Sequence, residues 1–307
     1  MKERKVGMEK LLLNRVAIIT GAGRGLGKEY AEELAKQGAA VAICDIARDD
    51  NGWLAESVAN DIISTGGNAI WFPLSVTDNT SVNYMIDSII GQFGRIDILI
   101  HNAGITKTNE FNLQTTSEWN DTMAIHLDAA FNLLSLTIPH MLKANYGRII
   151  LITSSAGMFG LKKNAAYSTA KMGIWGLVRT LNKEMETKGI ICNAVSPLAV
   201  TSDSNYTEDQ FYNERFTSKR VAPFVAALCS EQITTGGKVY QVAGGSISRL
   251  EICESKGMVF SDEDFYANNI LKNLTQIDDM KESTIIYSIE QAGKTLFKKI
   301  MKSKAVT

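Results

Sequence analysis

Six short, almost unbroken runs of β-branched and aliphatic residues constrain this chain more than any other feature. They are "RVAIITG" (Arg15–Gly21), "AAVAICD" (Ala39–Asp45), "NAIWFPL" (Asn68–Leu74), "IDILIHN" (Ile96–Asn102), "GRIILIT" (Gly147–Thr153) and "GIICNAV" (Gly189–Val195). A seventh, "KVYQVAGG" (Lys238–Gly245), follows later. A strand with one wet face alternates polar and apolar residues, whereas runs this continuous belong to strands buried on both faces. Longer amphipathic stretches lie between them, such as "LGKEYAEELAKQG", closed by a glycine as helices often are. Such alternation implies an α/β fold: one doubly wound, Rossmann-type domain with a seven-stranded parallel sheet and helices on both faces.

From Ser246 onward the pattern changes. "SDEDFYANNILKNL" opens on a serine and three acids, and "STIIYSIEQAGKTLFKKIMKSK" is amphipathic with basic residues late, which favours helices. Residues 1–250 are therefore assigned to the α/β domain, dinucleotide and substrate sites together, and 251–307 to a helical extension too short for a core of its own. The net charge of -1 gives no electrostatic case for nucleic acid. Cys44, Cys192, Cys229 and Cys253 show no zinc or redox spacing and read as buried free thiols of a reducing compartment. The charged start "MKERKVGMEK" precedes an apolar run too short to be a signal or a span, and "KAVT" is no known address. A cytoplasmic protein without membrane insertion is expected.

"TGAGRGLG" (Thr20–Gly27) directly follows the first strand and opens the first helix. Its glycines fit G-x-x-x-G-x-G at Gly21, Gly25 and Gly27, with Arg24 and Leu26 between. Such a turn offers a bare backbone to a pyrophosphate and the open N–H groups of a helix start to its charge. Asp45 ends the second strand, 18 residues after Gly27. A carboxylate there binds the adenosine ribose hydroxyls of NAD and repels the 2′-phosphate of NADP, or it merely caps a turn. Arg24 points the other way, toward a 2′-phosphate. NAD is the expected cofactor and NADP the lesser alternative. Asn102, Ala103 and Gly104 end the fourth strand, where a nicotinamide ribose would lie or an ordinary turn would form.

"LITSSAG" ends the fifth strand at Ser154; Tyr167 follows 13 residues later and Lys171 four after that. An ammonium at Lys171 and an oxidised nicotinamide would both favour phenolate at Tyr167. Tyr167 then takes the proton of an alcohol while Ser154 holds its oxygen, and Lys171 also holds the nicotinamide ribose.

"TGAGRGLG", "NAG" and "YSTAK", in this order and spacing, resemble the short-chain dehydrogenase/reductase superfamily over about residues 13–245. The resemblance implies catalytic roles for Ser154, Tyr167 and Lys171, and a cofactor site at Gly21, Arg24, Gly25, Leu26, Gly27, Asp45, Asn102, Ala103, Gly104, Tyr167 and Lys171. It adds Ser75 and Val76 near the adenine, and Pro197. Three positions depart from the family pattern. Ser75 replaces an aspartate, Leu198 a glycine, and His126 in "HLDAAF" the fourth catalytic residue, usually asparagine. His126 is either a core histidine or a substitute that orders a proton-relay water.

With "VAPFVAALCSE" and "GGSISRLEICESKGMVF", that histidine is similar to the (3R)-hydroxyacyl-CoA dehydrogenase part of peroxisomal multifunctional enzymes type 2 and its stand-alone bacterial relatives. The resemblance implies NAD-dependent oxidation of a 3-hydroxyacyl-CoA or related lipid or steroid alcohol. It also implies a homodimer, or a tetramer, packed through segments 118–143 and 165–187. Lys107, Lys162, Lys163, Arg215, Lys219 and Arg220 are candidate partners for CoA phosphates, or plain surface, and Thr201–Phe216 a candidate lid. The alternatives are a polyol dehydrogenase, an NADPH-dependent ketoreductase, or a silent dinucleotide-binding sensor. No metal is implied.

Overall fold

The computed structural model describes residues 10–200 and 208–304. The first nine residues, positions 201–207 of the candidate lid and the last three residues lie outside the described residues.

Each predicted run forms a strand: β1 (Val16–Thr20), β2 (Ala40–Cys44), β3 (Asn68–Phe72), β4 (Ile98–His101), β5 (Gly147–Ile152), β6 (Ile190–Leu198) and β7 (Val239–Ala243). All their pairings are parallel. The sheet has eight strands, however, not seven. β8 (Ser246–Leu250) sits at the edge beside β7, in the order β8-β7-β6-β5-β4-β1-β2-β3. Two residues, Gly244 and Gly245, join β7 to β8, a link that only an antiparallel pair permits. β8 escaped the sequence reading because its residues are almost all exposed and form no apolar run.

β1, β4 and β5 are buried along their whole length, as their composition requires. Helices α1 (Gly25–Lys36), α2 (Leu54–Ser64), α3 (Asn79–Phe93), α4 (Thr116–Met123), α5 (Ala129–Ala144), α6 (Ala165–Met185) and α7 (Ala222–Leu228) complete the unit. A π turn, Ala124–Asp128, separates α4 from α5. The strand order reverses between β1 and β4, and a parallel sheet opens a crevice at the C-terminal strand ends there.

Residues 250–307 form a second compact unit. It holds a two-stranded ladder of Cys253–Glu254 with Thr284–Ile285, short helices Ala267–Lys272 and Leu274–Ile277, and α8 (Ile289–Lys304). Both predicted helices start later than expected. Ser261 and Asp264 bond each other in a turn, and Thr284–Ile285 go to the ladder before α8 begins. Cys44, Cys192 and Cys229 are buried free thiols; Cys253 is free but exposed, against expectation. Among the described residues no helix is long and apolar enough to cross a membrane.

Candidate active site

A cleft of about 440 Å³ opens over the C-terminal ends of β1, β2, β4, β5 and β6. Gly21, Arg24, Gly25, Leu26, Asp45, Ser75, Val76, Asn102, Ala103, Gly104 and Pro197 all line it, together with Ser154, Tyr167, Lys171 and His126. Gly27 does not: it packs behind the turn. A Cβ on Gly27 would strike the Gly21 carbonyl oxygen and lie 2.8 Å from Ala22 Cα, while Gly21 takes φ +63°. The glycines thus bring the chain back on itself and leave a bare rim.

No side chain caps the start of α1, and its first turn carries no acid. Its N–H groups face an anion site unopposed, so the cradle fits a dinucleotide pyrophosphate. Asn102 braces the turn, Nδ2 donating to the carbonyls of Gly21 (2.9 Å) and Thr20 (3.2 Å). Asp45 caps the turn, one of the two roles the sequence allowed, and stands on the cleft wall. Its carboxylate accepts from the backbone of Gly23 and Ala47, each at 2.8 Å.

Across the cleft, Ser154 begins the short helix Ser155–Phe159, its Oγ accepting from Ala156 N at 3.2 Å. Its hydroxyl also hydrogen-bonds to Tyr167. Tyr167 and Lys171 lie one turn apart on α6. Lys171 is 4% exposed; its Nζ donates to Ile152 O at 2.7 Å and lies 5.6 Å from the Tyr167 ring centre. Burial drives Lys171 down to about 7. Burial also raises Tyr167, against the Ser154 hydrogen bond. The lysine was expected to lower Tyr167; desolvation instead sets the direction, because the phenol is shielded from water.

His126 comes to the cleft on the π turn. Its Nε2 lies 2.8 Å from Ile105 O and 3.1 Å from Ile105 N, and its ring meets Tyr167 edge-on at 5.1 Å. Gly104 makes room for it, since a Cβ there would clash with the imidazole. Burial and the Lys171 charge take His126 down to about 3, so it is neutral at physiological pH. Nδ1 is buried without a hydrogen-bond partner.

Among the described residues, two of the six candidate CoA-phosphate cations pair with carboxylates: Lys107 with Asp121 at 2.6 Å and Lys163 with Glu110 at 3.1 Å. The loops after Gly104 and Ser154 meet through Asn109 N–H and Lys163 O (2.8 Å) and expose Phe111, Leu113, Phe159 and Leu161. Sequence reasoning missed ten residues of the cleft wall, among them Ile46, Ile105, Thr106 and Ala199. These named residues each stand within two residues of a strand-end motif, and that adjacency was the available signal.

A family model described as short chain dehydrogenase matches residues 15–213. The chain is 34% identical over 302 residues to the peroxisomal multifunctional enzyme type 2 of Drosophila melanogaster, covering 94% of this chain and 49% of that protein. It thus spans about half the length of that relative. The solved full-length structure of the same enzyme matches with a TM-score of 0.79 at 30% identity, over 94% of this chain and 50% of the other. A Mycobacterium tuberculosis protein named as a short-chain type dehydrogenase/reductase is 32% identical, with 89% and 96% covered. The 3-oxoacyl-acyl-carrier-protein reductase of Staphylococcus epidermidis is 34% identical, with 76% and 99% covered. By these matches the chain belongs to the short-chain dehydrogenase/reductase family, oxidoreductases that bind a nicotinamide dinucleotide and act on CH–OH groups.

Proposed function

We propose that the protein oxidises the 3-hydroxyl of an acyl-CoA, or of a related lipid or steroid, to the ketone, reversibly and with NAD. The observation that carries this reading is the gathering of Ser154, Tyr167, Lys171 and His126 on one wall of a cleft whose other wall is the glycine cradle. The dinucleotide, when bound, supplies the acceptor for the hydride leaving the alcohol carbon. The chain does the rest. Ser154 holds the substrate oxygen, and Tyr167 exchanges a proton with it. Lys171 and the Asn102–Gly104 edge hold the nicotinamide side, Gly21, Gly25 and α1 the pyrophosphate, and Asp45 the adenosine ribose. Neutral His126, on the cleft wall edge-on to Tyr167, takes the place of the usual asparagine in ordering a relay water.

The exposed Phe111, Leu113, Phe159 and Leu161 support a long apolar substrate, as do relatives named for acyl chemistry. Arg24 on the cleft wall supports a second reading, reduction with NADPH. Exposed Phe131, Leu142 and Met172 on α5 and α6 support a homodimer through those helices, which light scattering would test; a monomer would refute it.

The deciding assay follows NADH production with 3-hydroxyacyl-CoA of both configurations, a 17-hydroxysteroid and a polyol, with NADP in parallel. Turnover of one CoA enantiomer with NAD supports the proposal. Turnover of the polyol alone, or with NADP alone, overturns it.

A further inference from the structure

His101 ends β4 with 2% of its surface exposed, and none of the chemistry above uses it. Its ring stands between two elements that the site depends on: the end of β1, which leads into the glycine turn, and the π turn, which carries His126. Nδ1 lies 3.0 Å from Thr20 Oγ1, and Nε2 lies 3.1 Å from Ile125 O.

Thr20 fixes which nitrogen holds the proton. Its hydroxyl oxygen accepts the backbone N–H groups of Asn102 and Ala103, each at 3.1 Å. Both lone pairs are then engaged, and the hydroxyl proton turns to the remaining polar neighbour, Nδ1. Nδ1 is therefore an acceptor and Nε2 carries the hydrogen, which it donates to the Ile125 carbonyl. A charged ring would set an N–H against a Thr20 oxygen with nothing left to accept it. Burial and the Lys171 charge disfavour that state as well.

The anchored carbonyl lies inside the π turn, Ala124–Asp128. One extra residue in that turn shifts the helix register, and a helix advances roughly 100° per residue, so relaxation to plain α geometry would swing His126 out of the cleft. We propose that His101 is a positioning residue: held as the Nε2–H tautomer by Thr20, it anchors the Ile125 carbonyl and so keeps the His126 ring against Ile105 and Tyr167. Its activity arm rests on the function proposed above; its structural arm does not.

The test uses the full chain with ¹⁵N-labelled histidine, whose three histidines, His101, His126 and His140, are assigned by substitution. Native His101 should show a bare Nδ1 and a protonated Nε2, Thr20→Val should abolish that single tautomer, and His101→Ala should shift the His126 ring signals. A charged or Nδ1–H ring in the native protein, or His126 signals unmoved in His101→Ala, would overturn the proposal.

The activity arm takes 3-hydroxydecanoyl-CoA and NAD as probes. His101→Ala should lower kcat about 10- to 100-fold with KM for NAD held, since small misplacements of a reacting constellation cost that much. His101→Gln, which keeps a donor and guards against misfolding, should recover part of the loss. The double variant with His126→Ala should be no slower than His126→Ala alone; independent losses would mean a merely structural His101. If native protein turns over none of the substrates, the proposed function fails while the ring signals still decide the anchor.

Discussion

Tyr167 answers to two opposing demands. Burial keeps its proton on, while the Ser154 hydroxyl stabilises the anion. Tyr167→Phe should cut turnover by about 10³-fold, the scale of a lost acid–base group, and leave nucleotide binding intact by fluorescence titration. Retained turnover would remove Tyr167 from the chemistry, and a redox sensor would keep its function. Because the phenol pKa is raised, alcohol oxidation, which needs the phenolate, should climb with pH into the alkaline range, and ketone reduction should fall there. Lys171 makes a second prediction. Its folded pKa is about 7 against an ordinary 10.5. Between those values the unfolded chain binds a proton that the folded chain does not, so stability rises with pH across the window, and below it the whole penalty of a buried charge is present. Lys171→Met should therefore exceed the native protein in Tm most at pH 6 and least at pH 10. A gap independent of pH would show that Lys171 is not desolvated. Ser154, Tyr167 and Lys171 were legible as a set because the glycine turn and the "NAG" strand end accompany them in an order that resembles a known family, and a strand end and one helical turn bring them to the cleft. The direction of the Tyr167 shift was not, since burial is a property of the surroundings rather than of the motif.

At the scale of elements, Arg148 ties β5 to the chain beyond α7. It is buried, and its guanidinium donates to the carbonyls of Ser230 (3.1 Å), Gly147 (2.9 Å), Gly189 (3.2 Å) and Ile233 (3.1 Å) above the Tyr146 ring. Arg148→Met should cost about 3 kcal/mol in denaturant unfolding, because several buried carbonyls lose a charged donor at once. A loss under about 0.5 kcal/mol, the surface range, would refute the clamp. Gly27→Ala acts on a different element. With a Cβ where the Gly21 carbonyl stands, the turn must open, and nucleotide binding should disappear while the strands persist by circular dichroism. The elements also show what limited the sequence reading. β1 to β7 were legible because burial on both faces leaves a continuous apolar run. β8 was not, because its residues are mostly exposed. The π turn was also invisible, since one extra residue in a helix has no marker in residue type. His126 could be placed at the site only through family resemblance.

For the whole molecule, burial is unequally shared. Among the described residues the last buried one is Val242, and none of those from 250 onward is buried. That unit exposes Phe265, Leu271, Ile289 and Phe297, each more than half open to solvent. Its structure consists of a two-residue ladder, short helices and α8, held by bonds such as Lys299 Nζ to Glu254 (2.9 Å) and Ser255 Oγ to Ile277 O (2.8 Å). Ordering a residue costs about 1–2 kcal/mol of backbone entropy, and a segment with no buried side chain has little apolar transfer energy to offset it. Residues 251–307 made alone should therefore give a disordered circular dichroism spectrum and no cooperative melt. A chain ending at Leu250 keeps every residue that lines the cleft and every buried side chain. It should melt cooperatively and bind NADH with an affinity near that of the full chain. A truncated chain that folds but binds no nucleotide would show that the cradle depends on the second unit. One that fails to fold would show that the apparent independence of the first unit's core is wrong.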